Sequence, residues 1–426
     1  MVSLPNILLI LADDHGYGDV SMHGGPHIQT PNMDRIASEG MRFSNFYANS
    51  SVCSPSRAAL MTGRFPDRVG VPGVIRTHGN NSWGYFRQDA VTLPSMLKQK
   101  DYHTALIGKW HLGLDAENHP CQRGFDHFHG FLGDMMDDYY THLRHDQNYM
   151  RHNLEIIDPR GHATDLFTDW AVDFVRAHAH VSQPFFLYLA YNAPHTPIQP
   201  PQDWVDRVRQ REPDASLERV RYVALVEHLD DRIGRVLNAL EKTGQLSNTL
   251  VIYTSDNGGQ MTVGATNGPY RGQKGDMYEG GIRVPACVRW PGEIEMGRVC
   301  DEPAMLMDVF PTICDVVGLP LDHVIEGQSI LPTLKGNSQD LSNRTLYWIR
   351  REGGQRFLGL CQHAVRRGDV KLLHNSPFES LELFDLNSDP HETTEKSKID
   401  QDTFAEMSRL LQATMQGNGH VPWLKR

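Results

Sequence analysis

Four short segments carry side chains that could do chemistry together: Asp13-Asp14, Lys109-Trp110-His111, Asn192-Ala193-Pro194-His195 and Asp256-Asn257. Asp13, Asp14, Asp256 and Asn257 make an all-oxygen set of three carboxylates and one amide. Such a set suits a hard cation, Ca²⁺ or Mg²⁺, rather than zinc, which prefers nitrogen and sulfur. Taken singly, Asp-Asp is an ordinary solvated turn and Asp256-Asn257-Gly258 a plain loop; together they favour a metal. A fifth segment, Cys53-Ser54-Pro55-Ser56-Arg57 running on to Thr62-Gly63-Arg64, reads as a short helix with Pro55 in its first turn and Gly63 at its end. Cys53 then lies at the positive end of that helix, where anions are stabilised, and Arg57 one turn on reaches the same anion or the metal ligands. Local pattern alone leaves Cys53 equally readable as a half-buried thiol.

What positions these groups is the run of residues before each of them. Asn6–Ala12, Thr104–Gly108, Phe185–Tyr191 and Thr249–Thr254 are short apolar runs that read as buried strands, and Pro285–Trp290 is another. Ligands of open α/β sheets bind outside the carboxyl ends of the strands, which is where all four segments fall. Helical patterns lie between the strands. One begins at Thr30-Pro31, with Thr30 as N-cap; others run from Ala163 to Ala179 and from Leu217 to Leu240, the last ending near Gly244. The expected fold class is α/β, a large, mixed, mostly parallel sheet sandwiched by helices.

Gly336-Asn337-Ser338 reads as a linker. It divides a catalytic domain, 1–335, from a smaller α+β unit, 336–426. In that unit Thr345–Arg350, Gln362–Arg367, Val370–Leu373 and Glu382–Leu386 suggest a small antiparallel sheet, and Thr403–Met415 a final helix. Between Leu114 and His162 the chain is polar, irregular and rich in His, Asp and Tyr. A stretch of that length without periodicity is expected to serve a binding surface.

The bulk numbers agree with a soluble enzyme. The chain has 426 residues, with 39% hydrophobic and 22% charged residues. A formal net charge of −11 argues against a general polyanion binder, so no nucleic-acid partner is expected. The six cysteines form no C-x-x-C pair; Cys300 and Cys314 could bridge, but buried free thiols are the favoured reading. The first apolar run, Ile7–Leu11, is too short to span a bilayer and lacks the basic leader and cleavage site of a signal peptide. No membrane partner is expected. The chain as written reads as cytoplasmic, or as periplasmic or secreted if a signal has been removed.

The motif Cys53-x-Pro55-Ser56-Arg57 followed by Thr62-Gly63-Arg64 resembles the signature of type I, formylglycine-dependent sulfatases of the alkaline phosphatase superfamily. Further motifs fall in family order: Asp13-Asp14, Gly108-Lys109-Trp110-His111-Leu112-Gly113, Ala193-Pro194-His195, Ser255-Asp256-Asn257-Gly258, and Lys274 ahead of Tyr278-Glu279-Gly280-Gly281-Ile282-Arg283-Val284-Pro285. The resemblance covers essentially the whole chain. It implies an alkaline phosphatase-like fold and a maturation enzyme that oxidises Cys53 to formylglycine. Asp13, Asp14, Asp256, Asn257 and the matured residue 53 would hold a divalent cation, most often Ca²⁺ in the family, with Mg²⁺ possible. Arg57 would stabilise the hydrated aldehyde, and Lys109 and Lys274 would offset charge on the sulfuryl group. His195 would protonate the leaving alcohol, and His111 would deprotonate the remaining hydroxyl so that sulfate is expelled.

Chemistry asks for these parts independently of the resemblance. A sulfate monoester is a poor electrophile with a poor leaving group, so it needs fixed positive groups, a cation and a proton donor. Two other functions compete: a formylglycine-dependent phosphonate monoester or phosphodiester hydrolase, which could share nearly every motif residue, and, more remotely, a non-catalytic binding protein on the same fold. The latter should have lost a metal ligand or the nucleophile, and this chain shows neither loss. Substrate identity is less legible. Of the 22 histidines, eleven fall between His103 and His180. His129, Asp134, Asp138, His142, Arg144 and Arg271 are the candidate substrate-binding residues, with Arg76, His78, Trp83, Asp137, Tyr139, Tyr140 and His145 in the same irregular segments. As a group they point to a sulfated carbohydrate, mono- or oligosaccharide, with Arg and His meeting a carboxylate or second sulfate.

Overall fold

The computed structural model describes residues 4–78, 82–353 and 357–424. Among the described residues, ten strands form one large sheet: β1 (Asn6–Ala12), β2 (Met41–Phe43), β3 (His103–Lys109), β4 (His127–Phe131), β5 (Met150–His152), β6 (Glu155–Ile156), β7 (Phe185–Ala190), β8 (Thr249–Ser255), β9 (Ala286–Arg289) and β10 (Arg298–Cys300). Their order is β10-β2-β9-β8-β1-β7-β3-β4-β5-β6. The middle five, β8 to β4, are parallel, whereas β9 and β5 join antiparallel. The sheet is therefore mixed and mostly parallel, as the apolar runs imply.

The two-residue period of a strand divides β1 between two cores. Ile7, Leu9 and Leu11 pack on one face with Ala58, Leu60 and Met61 of helix α2 (Cys53–Thr62). Leu8, Ile10 and Ala12 pack on the other. There they meet helix α1 (Pro31–Ser38), helix α3 (Ala163–Ala177) and helix α4 (Leu217–Lys242). Ser216 caps α4 by accepting the Arg219 N–H at 3.2 Å, and the His162 ring caps α3 by accepting the Thr164 N–H. Thr30 behaves differently from expectation. It occupies the N-cap position of α1, but its hydroxyl does not cap the helix; it takes the Ser21 N–H at 2.9 Å and pairs with the Ser21 hydroxyl at 2.8 Å.

A second, four-stranded antiparallel sheet follows, in the order β11 (Leu346–Glu352), β12 (Leu360–Arg367), β13 (Val370–His374) and β14 (Glu382–Asp385), with helix α5 (Gln401–Asn418) after it. Its core is continuous with that of the main body: Tyr47, Ala59, Met277 and Met305 share one buried cluster with Tyr347, Trp348, Leu373 and Met407. Trp348 donates its indole N–H to the Ala48 carbonyl at 2.8 Å, and the Ser50 hydroxyl donates to the Ile349 carbonyl at 2.8 Å. The segment leading into α2 is thus tied to β11.

The stretch 114–162 is more regular than its composition suggests. β4 extends the parallel sheet beside β3, and β5 and β6 finish that edge. All six cysteines are free thiols. Among the described residues no helix is long and apolar enough to cross a membrane.

Candidate active site

Strand register brings the reactive segments to one edge of the sheet. Ala12 pairs with Ser255, Leu11 with Ala190, and Ala190 with Gly108. The residues one or two further along, Asp13, Asp256, Asn192 and Lys109, therefore leave the sheet side by side. Gly108 makes this approach possible. Its φ is +108°, and a Cβ there would lie 1.9 Å from the Ala190 carbonyl oxygen.

α2 is buried along its whole length, begins at Cys53 and ends at Gly63 in the left-handed region, φ +68°. Cys53 points its thiol at Asp13 Oδ1, 3.3 Å away, and Asp14 Oδ1, 3.9 Å away. Burial, reinforced by the negative charge of Asp13, pushes the thiol pKa well above its usual value. An unmodified Cys53 is held as a thiol, the non-nucleophilic form.

Each carboxylate of the floor has its own cation. Lys109 Nζ donates to Asp13 Oδ2 at 2.5 Å, Lys274 Nζ to Asp14 Oδ2 at 2.6 Å, and Arg57 Nε to Asp256 Oδ2 at 2.9 Å. Burial works against the ionised form of Asp13, but Lys109, followed by His195, Arg57 and Lys274, holds its carboxyl well below the ordinary range. Asp256 moves the other way, because burial and the charge of Asp13 outweigh Arg57. Asp14 is held at φ +63°, a costly conformation for a residue with a Cβ, by its N–H bond to Asp256 Oδ1 at 3.1 Å.

The donor set fits a hard cation. Asn257 gives its amide N–H to Asp14 Oδ1 at 2.8 Å and to the Gly258 carbonyl at 2.9 Å, which turns its Oδ1 into a buried acceptor with no partner. Donor atoms of Asp13, Asp14, Cys53 and His195 lie within 4.8 Å of one another. Asp256 stands just outside that group, with Oδ1 on the Asp14 N–H and Oδ2 on Arg57, and each oxygen keeps a lone pair.

The two imidazoles are held in complementary ways. His111, at φ +60°, donates from Nε2 to the Ile75 carbonyl at 2.8 Å, leaving Nδ1 as a buried lone pair without a partner. Burial, with Lys109 and Arg57 beside it, keeps that ring neutral. His195 donates from Nδ1 to the Thr196 carbonyl at 2.7 Å, so Nε2 faces the floor, 3.0 Å from Lys274 Nζ and 3.5 Å from Asp14 Oδ2. Burial lowers its pKa, Asp14 opposes that, and Lys274 adds to it.

Above the floor lies a cavity of about 680 Å³, with Cys53, His111, His195 and Lys274 in its lining. Of the expected substrate residues, Asp134 and Arg144 reach it, as do Arg76 and His145. The other four lie outside it. His129 stacks on Trp170 with ring centroids 3.4 Å apart. Asp138 accepts from the Tyr140 and Thr141 backbone N–H groups and from Gln199. His142 bonds the Gly161 carbonyl, and Arg271 lies over the Tyr278 ring and bonds the Glu392 carbonyl. Tyr139 is buried beneath the site and donates to the carbonyls of Asn192 and His195, both at 2.8 Å. Trp83 stacks on Trp423.

Sequence reasoning missed Gln260, Thr262, Gln273, Arg350, Glu352 and Phe357, all of which line the cavity. Gln260 and Gln273 carry a usable signal, since they flank motif residues Asn257 and Lys274. Arg350 and Glu352 carry none, because they arrive at the end of β11 from the second sheet.

Fold and floor define an α/β protein with a site at its strand ends whose paired cations suit an oxyanion ester. Comparison with known proteins narrows this. Residues 5–319 match the family model described as Sulfatase, and residues 272–419 match N-sulphoglucosamine sulphohydrolase, C-terminal. N-acetylgalactosamine-6-sulfatase of Canis lupus familiaris is 34% identical over 369 residues, covering 81% of this chain and 68% of that protein. Human steryl-sulfatase is 31% identical, covering 81% and 72%. Among solved structures, Ps i-CgsB in complex with k-i-k-neocarrahexaose superposes with a TM-score of 0.90 at 32% identity, covering 100% of this chain and 95% of the other. BT4656 in complex with its substrate D-glucosamine-2-N,6-O-disulfate superposes at 0.80 and 26% identity, with 98% of each chain covered. The chain belongs to the sulfatase family, on the alkaline phosphatase-like fold, and it hydrolyses sulfate esters.

Proposed function

We propose that residue 53 is matured from cysteine to formylglycine by a dedicated oxidising enzyme, and that the chain then removes sulfate from a sulfated carbohydrate. One observation carries this reading: residue 53, a clamped all-oxygen ligand set and two oppositely oriented imidazoles converge on the floor of one cavity. Asp13, Asp14, Asp256 and Asn257 would hold a hard divalent cation, Ca²⁺ ahead of Mg²⁺, which when bound polarises the ester and gathers charge from its oxygens.

The protein's own groups account for the remaining work. One hydroxyl of the hydrated aldehyde passes its proton to a floor carboxylate and attacks sulfur as the bond from sulfur to the sugar oxygen breaks. His195, entering this step protonated at both ring nitrogens, gives that oxygen the proton from Nε2. Lys109 and Lys274, fixed by Asp13 and Asp14, meet the charge on the transferring group. His111 Nδ1 then takes the proton of the second hydroxyl, the carbonyl re-forms, and the carbon–oxygen bond to sulfate breaks. Sulfur is never attacked by water, which is the advantage of a diol over a serine hydroxyl.

The rim supports an anionic sugar. Arg76 and Arg350 converge on the buried Glu352, and Arg144 on Asp134 and Asp137, so three guanidinium groups surround the mouth with carboxylates fixing them. The names of the relatives, which act on N-acetylgalactosamine 6-sulfate or are bound to sulfated saccharides, agree with this. The test is a screen for sulfate release from sulfated mono- and oligosaccharides, using protein whose residue 53 has been verified by mass spectrometry. A sulfated sugar should be turned over faster than a simple aryl sulfate. Faster hydrolysis of a phosphonate ester or phosphate diester would overturn the proposal.

A further inference from the structure

The histidines left over from catalysis include a group built on the large sheet. His127 and His129 are alternate residues of β4, so both rings stand on the same face. His152 of β5 is the residue paired with His129 across the antiparallel ladder, and it brings a third ring to that face. One ring nitrogen of each lies within 4.8 Å of those of the other two. Ring centroids are 5.3 Å apart for His127 and His152, and 4.7 Å for His129 and His152.

Neighbouring histidines each engage at least one ring nitrogen. His103 bonds His178, and His142 and His162 bond backbone carbonyls. Among the described residues, the rings of His127, His129 and His152 make no hydrogen bond or ion pair. His127 and His129 are half-buried and His152 is exposed, so the unpaired nitrogens are accessible to an ion from solvent. A neutral imidazole keeps one ring nitrogen as a lone-pair donor, the form that ligates a metal. Trp170, stacked at 10° on His129, fixes the plane of that ring.

We propose that His127, His129 and His152 form a second metal site, binding Zn²⁺ or a similar borderline cation through three imidazole nitrogens and leaving a fourth position to water. Imidazole ligands select this class of ion rather than Ca²⁺, so the site is chemically distinct from the oxygen-lined floor. A tetrahedral ion with Zn–N of about 2.0–2.1 Å draws its ligands closer than 4.8 Å, and the exposed His152 is the ring free to swing inward. The role is structural. β4 and β5 are the two stems of the segment 132–149, which delivers Asp134, Arg144 and His145 to the cavity, and an ion across both strands fastens that segment at its base.

The experiment titrates ZnCl₂ into chelator-treated full-length protein held in excess Ca²⁺, by calorimetry and metal counting, with thermal unfolding in parallel. The parent should take up a zinc equivalent that raises its unfolding temperature. His152→Ala and His127→Asn should each weaken that uptake about 10-fold or more, at least what losing an outer-shell partner costs, and abolish the zinc-dependent rise. Co²⁺ in place of zinc should give the visible bands of a four-coordinate site in the parent and not in either variant. No zinc uptake by the parent, or uptake of equal affinity in both variants, would overturn the proposal; the latter places the ion elsewhere, for example at the Cys53 thiol.

Discussion

The floor and the rim of the cavity are built on opposite principles. On the floor, Asp13, Asp14 and Asp256 are each matched to one cation, and every one of these groups except the loop residue Lys274 is buried and carried by a strand end or by α2. On the rim, Arg76, Arg144 and Arg350 come from three unrelated segments; Arg76 and Arg350 share Glu352, and Arg144 divides between Asp134 and Asp137. A floor of this kind fixes the chemistry and tolerates little change. A rim of this kind sets which sulfate ester enters.

That contrast predicts a descending order of effects. His195→Ala should keep metal binding yet slow alkyl sulfates by about 10²- to 10⁴-fold, the usual worth of a general acid. A variant as fast as the parent on alkyl sulfates would remove His195 from that role. His111→Ala should slow turnover comparably, but by stalling the second step, so that alcohol appears in a burst and mass spectrometry finds sulfate retained on residue 53. Arg57→Ala leaves Asp256 buried beside Asp13 without its partner, and should cost about 3–5 kcal/mol in urea unfolding. A loss under about 1 kcal/mol would mean that the floor relaxes, as the rim does. On the rim, Arg144→Ala should raise KM for a polyanionic sugar about 10-fold, from loss of a charged hydrogen bond, with kcat and aryl sulfate hydrolysis unchanged. A fall in kcat instead would dissolve the distinction between the two regions.

A last prediction, on a different scale, concerns pH. Burial, with His228 nearby, holds His162 at a pKa of about 4, below the 6.5 of an unfolded chain. A depressed histidine stabilises the fold above pH 6.5, and that contribution is lost as pH falls toward 4. The slope is at most about 1.4 kcal/mol per pH unit for each such group. His162→Asn, which keeps an acceptor at the helix cap, should flatten the stability curve across this window by one histidine's share.

The same contrast explains what could be read from the sequence. Floor residues directly follow uniform apolar runs such as Ile7–Leu11, and parallel strands in register turn neighbours in sequence into neighbours in space. β4 was illegible because His-Phe-His-Gly-Phe mixes polar rings into an edge-side strand, and the stretch containing it reads as irregular. Thr30 has the right type and place for a cap, but the Ser21 hydroxyl competes for it, which only tertiary contact reveals. Arg350 and Glu352 lie almost 300 residues from α2 in a strand with no motif, so their place on the rim follows from how the second sheet docks.

β11 holds both kinds of residue on seven positions. Tyr347, Trp348 and Ile349 are core, and the last two are bonded to the segment that leads into α2, while Arg350 and Glu352 face the mouth. Substrate preference can therefore drift along two routes of unequal freedom. Changes in the segment 132–149 alter the mouth without touching residue 53. Changes in β11 risk tilting the nucleophile's own helix, so lineages that acquire new sulfated substrates should vary the first and conserve the second.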